Sequence, residues 1–448
     1  MTTPLAPLTQ AMLRAAKDAG ADAADAMAVD GRSVSIDVRK GGLEQADRSE
    51  GVEIGLRVFV GQRQACISSS DTRPDTLAAM AARAVAMARE APEDPYAGLA
   101  DSRQLAMLRS AEGLEMCDPA PEPDPAGLQD DARRAEDAAL AVAGVTQVQS
   151  ASAAYGQQAI WLAATNGFSG GYARSSRQVS CVAISGEGTG MERDYCGEGR
   201  VYQSDLPAPE AVGKLAAERA VARHGARRPK TGAYPVLYDE RVASGLIGHL
   251  VAAINGASIA RGSSWLRDAM GEQVLPKGLS LTEDPHRPRT SASRPFDAEG
   301  LQTRARDLVA DGLLQGWVLD LASARKLGME STANAVRGTS APPSPGATNW
   351  ALTQGTASRD DLIAQMGTGL LVTSLIGATI NPNTGDYSRG ASGFWVENGE
   401  IVYPVNECTI AGNLRDMLGR IIPANDARLH LSHAVPSLLV EGMTLAGE

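Results

Sequence analysis

The stretch Cys117-Asp-Pro-Ala-Pro-Glu-Pro-Asp-Pro125 constrains the fold more than any other part of the chain. Proline fixes φ and lacks an amide donor, so prolines at alternate positions can neither continue a helix nor join a sheet ladder. The stretch is a stiff linker, and the polypeptide must build separate elements on either side of it. Before it, Pro7 to Ala19 reads as a helix, with Leu8, Met12, Leu13 and Ala16 spaced for one apolar face. Ser33–Val38 and Val52–Val60 largely alternate in side-chain character, as half-buried strands do. Asp75–Ala91 is an alanine-rich helix entered after Pro74.

After the linker the same order returns. Ala126–Ala143 is helical, Val145 to about Asp205 is a β-meander rich in Ser, Thr, Val and Gly, and Pro207–Arg223 is again a helix. Residue similarity between the two halves is too weak to claim a duplication. A third unit opens with the strand Tyr234–Tyr238 and the helical run Val242–Ile254, and short strands and glycine turns dominate from Leu279 onward. Asn398-Gly399, between Gly393–Val396 and Glu400–Tyr403, is a hairpin signal, because both turn positions need positive φ. Arg359–Met366 and Asn413–Leu418 read as helices, Leu429–Val435 as a strand, and the proline-bearing Thr339–Asn349 as an exposed loop. The expected fold is α+β, with two smaller α/β subdomains followed by a large, mainly β, barrel-like C-terminal domain carrying a few helices. The boundaries fall at 1–116, 117–229 and 230–448. A length of 448 residues agrees with two to three domains.

The formal charge of −11 argues against a nucleic-acid surface, which would carry a basic excess. The one basic cluster, Arg223, His224, Arg227, Arg228 and Lys230, falls at a domain junction and reads as a solvated linker. Five cysteines at wide spacings, without Cys-x-x-Cys, suggest free thiols in a reducing cytoplasm. No signal-peptide pattern opens the chain, and no apolar run reaches the roughly 20 residues of a membrane span. A soluble, cytoplasmic protein is expected.

Chemistry is sparse. His249 lies on the helix Val242–Ile254, but Leu250 follows it and Ala253 and Ile254 occupy the next turn, so no second ligand shares the helix. His430 and His433 would point to opposite faces of a strand, and His286 sits in a turn without a nearby thiol. Gly167-Phe-Ser-Gly-Gly171 matches the nucleophile-elbow letters at Ser169, yet it lies in β material with no helix after it. Cys408 reads as a buried thiol in a strand. Gly186–Gly190 and Gly367–Gly369 lack the lysine and hydroxyl of a phosphate loop. What remains is the string Thr384–Trp395, whose glycines, hydroxyls and aromatics suit a surface that meets another backbone closely. A decorated β-turn explains the same composition. The candidate peptide-groove or subunit-interface residues are His249, Thr384, Asp386, Tyr387, Ser388, Arg389 and Phe394.

Several segments resemble the TldD/PmbA family, and within it the PmbA (TldE) branch. They are Gly248–Gly256, Pro295-Phe-Asp-Ala-Glu-Gly300, Ser323–Gly328, Met366–Gly369, Thr384–Glu400 and Thr409–Leu414, in the family's order. The resemblance implies a three-part chain and a two-subunit assembly. In the TldD branch a His-Glu-x-x-x-His helix and a cysteine near the C-terminus hold zinc. Here Leu250 and Ile254 stand at the matching helix positions and no cysteine follows Cys408, so no metal ligand and no catalytic residue carries over. The implied role is a supporting subunit without a cofactor of its own. The TldD-like partner would bring the zinc, and unfolded, extended or leader-type peptides would be the substrate. The alternative is a homodimeric, non-proteolytic regulator of the kind the family's older description as gyrase modulators suggests. A third idea, an independent peptidase built around His249, is weaker.

Overall fold

In the computed structural model, which describes residues 4–448, the two units flanking the proline linker share one sheet. Helix α1 (Leu5–Asp18), strands β1 (Ala23–Arg39), β2 (Gly42–Val60) and β3 (Arg63–Ser69), and helix α2 (Pro74–Glu90) precede the linker. Helix α3 (Pro125–Leu140), strands β4 (Val145–Ala164), β5 (Ser169–Ser185) and β6 (Glu192–Arg200), and helix α4 (Pro209–Ala222) follow it. The strands run β3-β2-β1-β4-β5-β6 and are antiparallel throughout.

These strands are much longer than the alternating runs in the sequence, with 17 residues in β1 and 20 in β4. Small residues such as Ala24, Ala26, Ala28 and Gly31 give little amphipathic signal, yet the ladder to both neighbours satisfies their backbone. Length lets one sheet carry two cores. Ala24, Ala26 and Ala28 of β1 pack with Met12 of α1 and Leu77 of α2. Further along the same face, Val34, Ile36 and Val38 pack with Leu128 of α3 and Val212 of α4. The β1–β2 turn uses positive φ at Lys40 and Gly41, and its two amides donate to the buried Glu136 carboxylate of α3 at 2.6 and 2.8 Å. The two helices over this end cross closely at Gly213, where a Cβ would lie 1.9 Å from the Ala135 carbonyl oxygen.

The third region is built on β7 (Gly232–Tyr238), α5 (Glu240–Ala253), β8 (Gly369–Ile380), β9 (Asp386–Glu397), β10 (Glu400–Asn413) and β11 (Leu438–Ala446). The order β10-β9-β8-β7-β11, with β10 also pairing β11, closes five strands into a barrel. Only β7 and β8 run parallel within it. The β9–β10 hairpin turns at Asn398 and Gly399 with φ of 52° and 79°, as the dipeptide demands. Val236, Tyr238, Leu370, Val372 and Trp395 share a core with α5, while Leu237, Leu371 and Val396 face the helix Arg359–Met366.

Two expectations are corrected. Thr339–Asn349 is not simply an exposed loop. Both end residues are buried, Thr339 donates its hydroxyl to Glu53, and Ser344–Pro345 pairs with Ala335–Val336. Proline removes a donor but keeps its carbonyl, so a proline-bearing segment can still dock. Gly55 permits this contact, since a Cβ there would sit 2.1 Å from the Thr339 carbonyl oxygen. Leu429–Val435 is not a strand: Leu429–His433 forms a turn, and Ala434 makes a single parallel bridge to Ala351. The basic cluster keeps its linker reading, since His224, Arg227, Arg228 and Lys230 are exposed, but three of its arginines have partners. Arg223 pairs with Glu192 and Asp194 at 3.5 and 3.6 Å, Arg227 lies 3.7 Å over the Tyr403 ring, and Arg228 meets Glu407 at 2.5 Å.

Candidate functional site

Helix α5 starts where Asp239 accepts the Arg241 amide, and it buries Ala243, Leu246, Ile247, Leu250 and Ala253. That apolar stripe fixes its rotation. His249, next to the stripe, is half-buried and meets Tyr387 of β9 edge-on, with ring centroids 5.8 Å apart. The Tyr387 hydroxyl accepts from Tyr238 of β7 at 3.4 Å, and the Tyr238 hydroxyl also lies 3.5 Å from Met443 Sδ on β11. Arg389, two residues along β9 from Tyr387, forms no ion pair among the described residues, and its buried Nε has no acceptor.

The electrostatics of this cluster favour neutral rings. Burial first, and the Arg389 guanidinium second, hold the His249 imidazole below its ordinary pKa. Burial pushes both phenols up, Tyr238 well above the usual 10. One neutral imidazole, two phenols, a thioether and a guanidinium are a poor donor set for zinc, which takes three or four His, Cys or carboxylate ligands. A cation beside the imidazole opposes a second cation there. The residues present do not fit zinc, the metal that the resemblance implies for the TldD branch.

The other predicted site residues divide between different places. Thr384 and Asp386 form a polar turn. The Thr384 hydroxyl donates to Asp386 at 2.6 Å, and Asn413 Nδ2 donates to the Thr384 carbonyl and to Asp386 at 3.0 and 3.1 Å. These bonds hold the exposed Asp386 carboxyl below its usual pKa, so the aspartate is engaged with this turn and not with Arg389. Ser388 lies on the opposite face of β9 from its neighbours Tyr387 and Arg389, as strand alternation requires. Phe394 packs beside Leu371 and Val396 in the core under the helix Arg359–Met366. The structure therefore brings His249, Tyr387 and Arg389 together and leaves Ser388 and Phe394 elsewhere.

Of the remaining candidates, Ser169 Oγ accepts from Trp161 Nε1 at 3.1 Å, and the Cys408 thiol donates to the Ala391 carbonyl at 3.2 Å. Burial raises that thiol to about 11, which keeps it protonated. His286 Nε2 is 3.0 Å from the Thr303 hydroxyl. His430 lies 3.2 Å from Arg428, whereas His433 stacks on Trp350 at 4.0 Å.

Sequence reasoning missed a charged network between the first sheet and the third region. Asp25 of β1 accepts from Arg57 Nε of β2 at 2.7 Å and from Arg337, and all three side chains are buried. Close by, Asp297 accepts the amides of Glu299 and Leu301 at 2.9 Å each and of Ala335 at 3.1 Å. Glu299 accepts the Leu321 amide at 2.8 Å. Burial, then the Asp297 charge, pushes the Glu299 carboxyl from 4.5 to about 8. An aspartate inside the apolar run Ala23-Ala-Asp-Ala-Met27 was the available signal.

Comparison with known proteins agrees with this architecture. Family models match residues 24–88 as PmbA/TldA metallopeptidase domain 1, 118–223 as the central domain and 231–447 as the C-terminal domain. The chain is 39% identical over 419 residues to Metalloprotease PmbA of Escherichia coli O157:H7, covering 93% of this chain and 90% of that one. It is 37% identical over 437 residues to the Metalloprotease PmbA homolog of Haemophilus influenzae, covering 96% and 94%. The TldD homolog of the same organism is more distant, at 26% over 330 residues and 68% of each chain. Among solved structures, one from Bacteroides thetaiotaomicron named as a modulator of DNA gyrase superposes with a TM-score of 0.90. That match has 26% identity and covers 99% of this chain and 98% of that one. TldE from Thermococcus kodakarensis shares the fold with a TM-score of 0.86 at 19% identity, covering 98% and 100%.

Proposed function

The chain belongs to the PmbA/TldD metallopeptidase family, and we propose that it serves there as a PmbA/TldE-type supporting subunit of a zinc peptidase. Its partner in this proposal is a TldD-like chain, which brings the zinc and the catalytic glutamate. The observation that carries the proposal is the setting of His249, which meets Tyr387 edge-on while the buried, apolar Leu250 and Ile254 stand at the positions where the resemblance implies ligating and catalytic residues in the TldD branch. This chain contributes the barrel and a cleft wall, holding unfolded or leader-type peptides in extended form through backbone pairing, which tolerates many sequences. The complex would work in the cytoplasm; among the described residues no helix is long and apolar enough to cross a membrane.

The test is co-expression with a TldD-like chain and assay of an unfolded peptide. Cleavage by the pair, with neither chain active alone, is the expected outcome. Stoichiometric zinc on this chain alone, with chelator-sensitive cleavage, overturns the assignment. A second proposal, a homodimeric regulator that performs no proteolysis, draws on the name of the Bacteroides structure. Size-exclusion chromatography separates the two, because an exclusive homodimer that ignores the TldD-like chain favours the second.

A further inference from the structure

The face of the first sheet opposite its helices meets the third region around a cavity of about 230 Å³. One wall is apolar, formed by Met27 of β1, Ile160 and Leu162 of β4, and Phe296. Phe296 is held edge-on between Phe168 and Tyr172, with centroids 4.9 and 5.4 Å away, so that wall is fixed. The opposing side carries three guanidiniums, those of Arg174, Arg294 and Arg337.

These arginines are positioned by carbonyls more than by carboxylates. Arg174 Nη1 donates to the Ser291 carbonyl at 3.0 Å, and Arg294 Nη1 donates to the Ala335 carbonyl at 2.8 Å. Neither Arg174 nor Arg294 makes an ion pair among the described residues, while Arg337 shares Asp25 with Arg57. Each of the three keeps one buried nitrogen without an acceptor, as does the hydroxyl of Thr348, which also lines the cavity. Buried donors normally find partners, so four orphans around one cavity are unusual.

The local charge has the same sense. Arg57, Arg174, Arg294 and Arg337 outnumber Asp25 and Asp297; Asp297, which lines the cavity, accepts three backbone amides and is countered chiefly by Arg294. Asp320 caps the helix Leu321–Leu327 and does not line the cavity. Glu299, with its carboxyl pushed up to about 8, is mostly uncharged near neutral pH. A positive excess therefore sits in a buried setting, where an unpaired charge is costly.

We propose that this cavity is a binding site for a small carboxylate bearing an apolar tail, its anion beside the three arginines and its tail against Met27, Ile160, Leu162 and Phe296. Guanidiniums recognise carboxylate by shape as well as charge. The apolar wall selects a branched aliphatic or similar group over inorganic anions. The carboxylate belongs either to a free short-chain acid or to the C-terminus of a peptide ending in an apolar residue. The site is separate from the His249 cluster and does not depend on the proteolytic role.

Calorimetric titration of the full chain tests the site with four probes: 4-methylpentanoate, its carboxamide, acetyl-Ala-Ala-Leu with a free C-terminus, and inorganic phosphate. Saturable binding of one or both carboxylates below about 5 mM is expected, and which one binds identifies the source. Arg174→Gln weakens it about tenfold or more, the loss expected for one charge-assisted contact. Ile160→Trp, which fills the apolar side, abolishes it while the unfolding temperature shows that the chain still folds. The proposal is overturned if neither carboxylate saturates, if the carboxamide binds as tightly as the acid, or if phosphate binds more tightly than both.

Discussion

Replacing Glu299 by glutamine isolates a strongly perturbed carboxyl of the inter-domain network. In the folded chain, burial and then the neighbouring Asp297 push this carboxyl from 4.5 to about 8, with Arg57 only partly offsetting them. In the unfolded chain it titrates near 4.5. Between those values the unfolded chain has released the proton and the folded chain still holds it. Rising pH therefore favours unfolding, by up to about 1.4 kcal/mol per pH unit. From about pH 5 to about pH 8 this one group removes roughly 3–4 kcal/mol, the curve flattening as the folded carboxyl begins to ionise. Glutamine has the same shape, cannot ionise, and keeps an oxygen to accept the Leu321 amide now bonded at 2.8 Å. Urea unfolding of both proteins at fixed ionic strength gives the comparison, since titrating groups other than the neighbouring Asp297 cancel in the difference. Glu299→Gln should gain roughly 3–4 kcal/mol on the parent chain across that range. Parallel pH curves would refute the reasoning. They would mean that Glu299 is ionised when folded, and the positive excess around the arginine-lined cavity would shrink with it.

Other perturbations have equally direct readouts. Gly213→Ala forces a methyl against the Ala135 carbonyl, where the Cβ position is 1.9 Å away, and should cost about 1–3 kcal/mol in thermal unfolding. Glu136→Ala removes the acceptor for the Lys40 and Gly41 amides, costing about 1.5–3 kcal/mol and exposing the β1–β2 turn to limited proteolysis. His249→Ala, assayed in the presence of a TldD-like chain, should leave peptide cleavage in place; complete loss would assign the imidazole a direct part in the chemistry.

The sequence showed most of the elements and little of how they join. The linker prolines, the α2 entry at Pro74 and the Asn398-Gly399 turn were legible because each rests on local backbone chemistry, while the helix expected from Pro207 starts two residues later at Pro209. The single sheet spanning both N-terminal units was not, since β1 pairs with β4 across more than a hundred residues and its Ala and Gly positions carry no periodic signal. The α5 helix and the isolation of His249 from other ligands on it were evident from Leu250 and Ile254. The arrival of Arg389 beside that imidazole depended on barrel register, which only the closed sheet sets. Ser388 and Phe394 were grouped with Tyr387 by proximity in sequence, but alternation along β9 and the packing of its two faces send them elsewhere. The Asp25, Arg57 and Arg337 contact joins residues from distant segments, and no local pattern could have paired them.

The central claim is that this chain supports a zinc site without holding one, and metal analysis of the purified full chain, alone and mixed with a TldD-like chain, tests it most directly. The account predicts no stoichiometric zinc on this chain alone, and one zinc per pair together with chelator-sensitive peptide cleavage. One zinc per copy of this chain alone, lost on His249→Ala, would contradict it.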